Sequence, residues 1–296
     1  MTTLQQIIDI IQPKATQLAT PSVLISEPIQ LDAANERDDV VMWVSVKNIH
    51  QLQGVGRGTI ICPNIDNISP NAHCNYLITD NPRRAFSQVL KTFFVLKENF
   101  AIASSTHIHP SVFLPKNVFI GENVVIEQGC QIGENVKIGH NTVLHAKTIV
   151  HNNVTIGCNN TIGGVGFGYE KDDNGEYVVI PHIGNVVLHE FVEIGNNTTI
   201  DRAVMGSTIL RKNVKVDNLV HIAHGVVIDE NSLIIANAMI GGSTMIGKNV
   251  WVAPSSTLIN KIKIGDDAVI GLGAVVVKNV ENNAVMVGNP AKPLVK

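Results

Sequence analysis

The chain has 296 residues, of which 45% are hydrophobic and 4% aromatic, and its formal net charge at pH 7 is −3. The length suits one or two domains, and the charge gives no basic surface of the kind that binds nucleic acid, so we expect no nucleic-acid partner. We find neither an apolar run of about 18 residues nor a signal-peptide pattern at the start, and therefore expect no membrane insertion and a cytoplasmic location.

Residues 1–103 show no regular repeat and mix helical with strand-like segments. Leu4–Ile11 and residues 85–96 have the pattern of helices. Residues 39–46 and Gly58–Cys62 have the pattern of strands. We therefore predict a small N-terminal α/β domain over residues 1–103.

A period of six residues dominates the rest of the chain. From residue 108 to residue 162, and again from 210 to 276, every sixth residue is Ile, Leu or Val. This period fits neither a helix nor an alternating strand, and it is typical of hexapeptide repeats, three of which form one triangular coil. The sequence therefore predicts a mainly β fold, with a left-handed parallel β-helix over residues 104–280 in which residue i lies over residue i+18. Residues 281–296 contain prolines and are predicted to form an extended C-terminal tail.

The repeat is interrupted twice. Ile162 and Leu188 are 26 residues apart, and the segment between them is polar and glycine-rich at its centre, so we predict a loop outside the coil. Ile200 and Leu210 are ten residues apart, a slip of four. Insertions in solenoid proteins often lie on the binding face.

One histidine and one glycine form a candidate site for acyl transfer. His224 lies two residues after the core position Ile222, near a corner, where a mostly neutral imidazole can take a proton from an amine or hydroxyl. Gly242 follows 18 residues later, so the β-helix would stack it one coil above His224. A glycine N–H at that place can reach a developing oxyanion. A solvated histidine on the coil surface is the competing interpretation.

Three segments resemble the LpxD family of UDP-3-O-acylglucosamine N-acyltransferases. They are TTIDR at residues 198–202, VDNLVHIAHGVVI at residues 216–228 and GFG at residues 166–168. The resemblance covers the β-helix and is weaker over residues 1–103. It implies that His224 is the general base, that Gly242 is the oxyanion donor, and that the acyl group passes directly from a thioester to a sugar amine.

Three departures from that family favour a relative with another substrate. Lys261 occupies the place of a second family histidine, and residues 42–48, MWVSVKN, replace the family's uracil-binding motif. The family's C-terminal helical extension is not found, and residues 288–293, GNPAKP, are similar to coenzyme A-dependent hexapeptide acetyltransferases. We therefore predict transfer of an acetyl or short 3-hydroxyacyl group from acyl-CoA to a dTDP-3-amino-3,6-dideoxyhexose, as in surface-polysaccharide pathways.

In the N-terminal domain, four residues are predicted to bind the nucleotide. Trp43 would stack on a pyrimidine ring, although an aromatic residue in the core of the small domain is an equal alternative. Ser45, Lys47 and Asn48 would form hydrogen bonds to the base or the phosphates if the domain keeps its family role.

In the β-helix, four further residues are predicted near the sugar. Phe167 and Tyr169 would form a wall of the sugar–phosphate pocket, with a plain surface loop as the alternative. Asp201 carries a family match, although an Asp beside Arg202 at a corner is often only a solvated ion pair. His221 would either assist His224 or pack against the coil.

Three lysines are predicted to contact the acyl donor. Lys261 occupies the donor-associated position, and Lys278 and Lys292 would meet the phosphates of the coenzyme. We predict no tightly bound cofactor, with acyl-CoA as a co-substrate, and expect a homotrimer because this class of β-helix packs around a three-fold axis.

Three alternatives remain open from the sequence. The first is the lipid A enzyme itself, a UDP-3-O-acylglucosamine N-acyltransferase that uses acyl carrier protein. The second is a zinc-dependent β-helix carbonic anhydrase, suggested by the spacing of His140 and His145, although we predict no metal ligands. The third is a non-catalytic binding or assembly module.

Overall fold

A computed structural model of the protein describes residues 1–32, 34–65, 71–96 and 100–294. The chain divides into two compact units, Met1–Lys97 and Glu98–Lys296. None of the helices in these described ranges is long and apolar enough to cross a lipid bilayer.

Two α-helices belong to the first unit. Leu4–Ile11 begins with a capping box, in which Thr3 and the third helical residue exchange hydrogen bonds that satisfy free N–H groups. Pro82–Val89 continues into a π-helical turn, Leu90–Phe94. The second helix therefore begins three residues before the predicted segment 85–96, because proline is well accommodated in the first turn of a helix.

A five-stranded mixed sheet forms the centre of the first unit. Its strands, in spatial order, are Ala15–Gln17, Cys74–Ile78, Gly58–Cys62, Val40–Trp43 and Glu27–Pro28. Thr2–Thr3 and Leu24–Ile25 form a separate antiparallel pair. The strand predicted over residues 39–46 ends at Trp43, and the 3-10 helix Val46–Gly54 follows it.

Alternate residues of the central strands pack on opposite faces of this sheet, as the pleat requires. Val41 and Ile61 are fully buried on the side of the two helices. Met42 and Ile60 are fully buried on the other side. Both faces of the sheet are thus covered.

The second unit is a parallel β-helix with three sheets. The nine-stranded sheet contains His107–Ile108, Val125–Ile126, Val143–Leu144, Thr161–Val165, Thr199–Arg202, His221–Ile222, Met239–Ile240, Thr257–Leu258 and Val275–Val276. The seven-stranded sheet contains Gln131–Ile132, Ile149–Val150, Asn185–Leu188, Ser207–Leu210, Val227–Ile228, Met245–Ile246 and Lys263–Ile264. The ten-stranded sheet contains Phe119–Ile120, Lys137–Ile138, Thr155–Ile156, Glu193–Ile194, Lys215–Val216, Leu233–Ile234, Trp251–Val252, Val269–Ile270, Val285–Val287 and Lys292–Pro293.

The register of these sheets follows the sequence repeat. Ile222 pairs with Ile240, and Ile240 pairs with Leu258, so within the uninterrupted repeats each core residue lies over the one 18 positions later. All three side chains are fully buried in one continuous aliphatic core. The predicted β-helix of hexapeptide repeats is therefore confirmed.

Asparagine occupies many of the corners because the chain turns there through the left-handed region. Asn135, Asn141 and Asn153 have φ angles of 57°, 59° and 60°, a conformation that asparagine tolerates better than most residues. Asn135 Nδ2 also donates to Asn153 Oδ1 one coil away, at 3.2 Å. These side chains stabilise the stacking of successive corners.

The insertion after Ile162 and the C-terminal segment both form hydrogen-bonded strands. The insertion predicted as a loop forms an antiparallel hairpin of Tyr169–Lys171 and Tyr177–Val179. At the C-terminus, Val285–Val287 joins the ten-stranded sheet in parallel and Lys292–Pro293 pairs with it in the antiparallel sense. The predicted tail is thus extended but hydrogen-bonded, and its last two positions, 295–296, lie outside the described residues.

Candidate active site

His224 lies in a cavity of about 800 Å³ between the hairpin and the coils. Strand His221–Ile222 positions it, since the fully buried Ile222 fixes the backbone and His224 follows at the corner, half-buried. The cavity is lined by aromatic and aliphatic side chains together with a few polar groups: Phe167, Gly168, Tyr169, Tyr177, Ile180, Val204, His224, Asn260 and Lys261.

Gly242 lies directly against the imidazole of His224. A Cβ atom built on Gly242 would be 2.8 Å from both Cε1 and Nε2 of the ring, so only glycine leaves room for the ring in this position. The Gly242 carbonyl accepts a hydrogen bond from the Lys261 amide at 2.9 Å, whereas the Gly242 N–H has no partner among the described residues. The site therefore holds an unpaired backbone donor next to an imidazole.

His182, on the segment that returns from the hairpin, contacts the other side of His224. The two rings are 5.3 Å apart between centroids and nearly perpendicular, at 80°. His182 Nδ1 donates to the Ile180 carbonyl at 2.7 Å, while its Nε2 is buried with no hydrogen-bond partner among the described residues. Sequence reasoning missed His182, although it is the one histidine between Ile162 and Leu188.

Burial is the main reason that the pKa of His224 is lowered from its ordinary value. A positive charge on His182, when that ring is protonated, and the ammonium of Lys261 lower this pKa further. The lowered pKa keeps His224 neutral at physiological pH, which is the form that can accept a proton.

Asp201 and His221 form a second polar pair. His221 Nε2 is 3.7 Å from Asp201 Oδ2, which is beyond hydrogen-bond distance. Burial raises the pKa of Asp201, and the neighbouring His221 and His182 partly offset this effect. Among the described residues, neither Asp201 nor His221 lines the cavity. Arg202 forms no ion pair with Asp201 and instead donates from Nε to the Gly163 carbonyl at 2.5 Å.

The predicted contact residues of the β-helix divide into two groups. Phe167, Tyr169 and Lys261 line the cavity, and the rings of Phe167 and Tyr169 are 4.9 Å apart. Lys278 and Lys292 are exposed and are not part of the cavity wall. The structure thus brings the hairpin aromatics and Lys261 together with His224, and leaves the other two lysines elsewhere.

The predicted nucleotide-binding residues lie at one end of a strand in the first unit. Trp43 is partly buried and stacks on Phe86 of the second helix, with ring centroids 6.3 Å apart, so its ring belongs to the packing under that helix. Ser45 precedes the 3-10 helix Val46–Gly54, which carries Lys47 and Asn48 at exposed positions.

The histidines that suggested a zinc site have other partners. His140 Nδ1 accepts a hydrogen bond from the Glu122 amide at 2.8 Å, and His145 Nδ1 is 3.1 Å from Glu127 Oε1. Within the described ranges of the chain, no group of three or more His, Cys, Asp or Glu side chains could hold a metal ion. Both histidines thus have polar partners within the chain.

Comparisons with known proteins bear on the repeats and on the substrate. Residues 129–164 match the family of bacterial transferase hexapeptides, six repeats. Over 128 residues, 43% of this chain, the sequence is 47% identical to the UDP-3-O-acylglucosamine N-acyltransferase of Campylobacter lari, of which the match covers 40%. Over 82 residues, 28% of this chain, it is 54% identical to the protein of the same name from Christiangramia forsetii, of which it covers 24%. The chain thus matches about two fifths or less of the length of these curated relatives.

Solved structures share the fold. The Francisella novicida UDP-N-acetylglucosamine acyltransferase superposes with a TM-score of 0.59 over 66% of this chain and 70% of its own, at 19% sequence identity. A second UDP-N-acetylglucosamine acyltransferase superposes with a TM-score of 0.60 over 65% of this chain and 73% of its own, at 23% identity. At these identities the likeness shows that the β-helical fold is shared.

The prediction of a dTDP-amino-sugar acyltransferase that uses short acyl-CoA is wrong. The curated relatives, including that of Wolinella succinogenes at 39% identity over 128 residues, bear the name UDP-3-O-acylglucosamine N-acyltransferase. The prediction depended on Lys261, on residues 42–48 and on the end of the chain. None of these three features belongs to the two coils that carry His224 and Gly242. The roles of Lys278 and Lys292 in binding the acyl donor stay predictions.

Proposed function

We propose that this protein transfers an acyl group from a thioester on acyl carrier protein to the amine of UDP-3-O-acylglucosamine. The observation that carries the proposal is the unpaired N–H of Gly242 beside the half-buried imidazole of His224. A proton acceptor and an oxyanion donor at one place are what direct acyl transfer requires. The names of the curated relatives support the acceptor, and the family resemblance supports the carrier protein as donor.

The proposed reaction needs no covalent enzyme intermediate and no bound cofactor. The sugar amine attacks the carbonyl carbon of the thioester while His224 takes a proton from the nitrogen. The carbonyl oxygen becomes an oxyanion that accepts a hydrogen bond from the Gly242 N–H. The carbon–sulfur bond then breaks, the carbonyl re-forms, and protonated His224 returns its proton to the thiolate. The products are an amide on the sugar and a free thiol.

The walls of the cavity fit an acylated sugar. Phe167, Tyr169 and Tyr177 offer apolar ring faces, and Ile180 extends that surface. Aromatic rings of this kind bind the apolar faces of sugars and also acyl chains. In this proposal Lys261, which also lines the cavity, contacts the acyl donor.

In this proposal the first unit binds the nucleotide, and the protein is a homotrimer. Lys47 and Asn48 are exposed on the 3-10 helix, where a lysine ammonium and an amide suit phosphate and base oxygens. Ser45 adds a hydroxyl at the start of that helix. Trp43 presents to the nucleotide only the part of its ring that Phe86 leaves uncovered. The homotrimer rests on the resemblance of the β-helix to trimeric acyltransferases.

The test is a thiol-release assay with the full chain. We expect turnover with UDP-3-O-acylglucosamine and an acyl carrier protein thioester, and none with the analogue that has a hydroxyl in place of the amine. The His224→Ala substitution should lower kcat by about two to four orders of magnitude, the range for loss of a general base.

His107→Ala is the matched control for this substitution. His107 is exposed on the same nine-stranded sheet, many coils from the cavity, so kcat should stay at the wild-type value. Both variants should unfold at the wild-type temperature. A loss of less than tenfold in His224→Ala would contradict the assignment of the base, and equal turnover of the hydroxyl analogue would contradict the assignment of the acceptor.

A further inference from the structure

A buried nitrogen with no partner lies beside the proposed base. His182 is 7% exposed, and its Nε2 has no hydrogen-bond partner in the part of the chain that the structure describes. Buried polar atoms are nearly always hydrogen-bonded, and a buried atom left without a partner lowers stability, so each exception calls for an explanation.

The hydrogen bond at the other nitrogen fixes the tautomer of the neutral His182 ring. Because the Ile180 carbonyl 2.7 Å away can only accept, His182 Nδ1 carries a proton. The neutral ring therefore has its dipole directed from Nδ1–H towards Nε2, with the lone pair of Nε2 at the negative end.

That negative end is close to His224. A Cβ atom built on Gly166 would be 2.9 Å from His182 Nε2 and 3.0 Å from His224 Cβ, so both side chains flank the same small gap. The rings meet nearly at right angles, at 80°. A lone pair in this position has little attraction for a neutral imidazole and a strong attraction for an imidazolium ion.

We propose that His182 is a positioning residue that stabilises His224 in the protonated form it takes during the reaction. This inference rests on the proposed role of His224 as the base. Because the attraction is strong only after His224 has accepted the proton, it lowers the barrier rather than merely tightening binding. Nothing in this role requires His182 to touch the substrate.

Other charged groups near His182 and His224 also affect the pKa of His224. Burial, a positive charge on His182 when that ring is protonated, and the ammonium of Lys261, which lies two coils further along, all lower the pKa of His224. Asp201 lies within electrostatic range of both His182 and His221. The lone pair of neutral His182 acts in the opposite sense to the charge of Lys261. Removal of the lone pair should therefore lower the pKa of His224, and removal of the lysine charge should raise it.

The test compares His182→Phe, which keeps a flat ring without a lone pair, with His182→Gln, whose amide oxygen restores an acceptor. The pKa of His224 is measured by NMR titration of the full chain without substrates. We expect it to fall in His182→Phe and to stay near the wild-type value in His182→Gln. We also expect kcat of His182→Phe at pH 8 to fall about three- to tenfold, with little change in KM.

A second pair of variants does not depend on the folding of His182→Phe. Gly166→Ala inserts a methyl group between the two histidines, whereas Gly164→Ala meets its nearest atom, Thr161 Cγ2, at an ordinary 3.4 Å. The pKa of His224 should fall in the first variant and not in the second. An unchanged or raised pKa of His224 in both His182→Phe and Gly166→Ala would overturn the inference. Because the titration needs no turnover, this outcome is separate from failure of the proposed function.

Discussion

Replacement of Gly242 by alanine tests the geometry of the proposed active site. The φ angle of Gly242 is outside the left-handed region, so the backbone itself accepts alanine. The new methyl group, however, would be 2.8 Å from Cε1 and Nε2 of His224. To reach a normal contact of about 3.5 Å, the ring must move by about 0.7 Å.

This displacement should affect activity far more than stability. A misplacement approaching 1 Å at a catalytic group costs about 100-fold in rate, so we expect kcat to fall by about that factor. The half-buried ring can move outwards, so the steric cost should be near the lower end of about 1–3 kcal/mol. The reduced flexibility of the unfolded chain offsets about 0.4–1 kcal/mol of this cost. The net change in unfolding free energy should therefore be below about 1 kcal/mol.

The assay combines kcat from thiol release with urea unfolding of the single and double variants. In a His224→Ala background the ring is absent, so Gly242→Ala should no longer lower stability, and kcat should fall no further. Two results would refute the reasoning. One is a kcat of Gly242→Ala within threefold of wild type, and the other is an equal destabilisation with and without the His224 ring.

Two other changes test the electrostatics of the base and the core of the coil. Lys261→Met should raise the pKa of His224, because a nearby positive charge is removed. The acid limb of the kcat/KM profile should therefore move to higher pH at low salt. Lys261→Arg should leave the acid limb in place, and a shift to lower pH in Lys261→Met would contradict the assignment. Ile234→Ala, at a fully buried position, should lower the free energy of unfolding by about 2–5 kcal/mol. Val165→Ala, at a position 63% exposed, should change it by no more than about 0.5 kcal/mol in the same urea titration; similar losses in both would show that burial does not determine the effect.

The β-helix could be predicted from the sequence because its repeat is short and local. Aliphatic side chains at every sixth position can be buried together only if the chain turns at regular corners, and three repeats then place residue i beneath residue i+18. Ile222, Ile240 and Leu258 follow this rule. The same spacing predicts that Gly242 lies next to His224, and the structure has them in contact.

In the first unit, local sequence patterns predicted a helix but not the contacts between residues that are distant in sequence. The helix Leu4–Ile11 has the predicted bounds, because its amphipathic pattern and its cap are both local. For Trp43 the sequence left a nucleotide contact and a core position equally open. The stacking on Phe86, more than 40 residues later, depends on how the second helix packs on the sheet. The departures at residues 42–48 likewise led to a wrong prediction of the sugar substrate, which the names of the curated relatives contradict.

The sequence by itself determined the coil, its register and the pairing of His224 with Gly242, since each of these follows from a fixed repeat. Only the tertiary structure decided what lies on the other side of His224. The insertion after Ile162 departs from the repeat, so no spacing rule relates its residues to the coils. Its path is set by the hairpin of Tyr169–Lys171 and Tyr177–Val179 and by the packing that follows, and these bring His182 to within 5.3 Å of the proposed base.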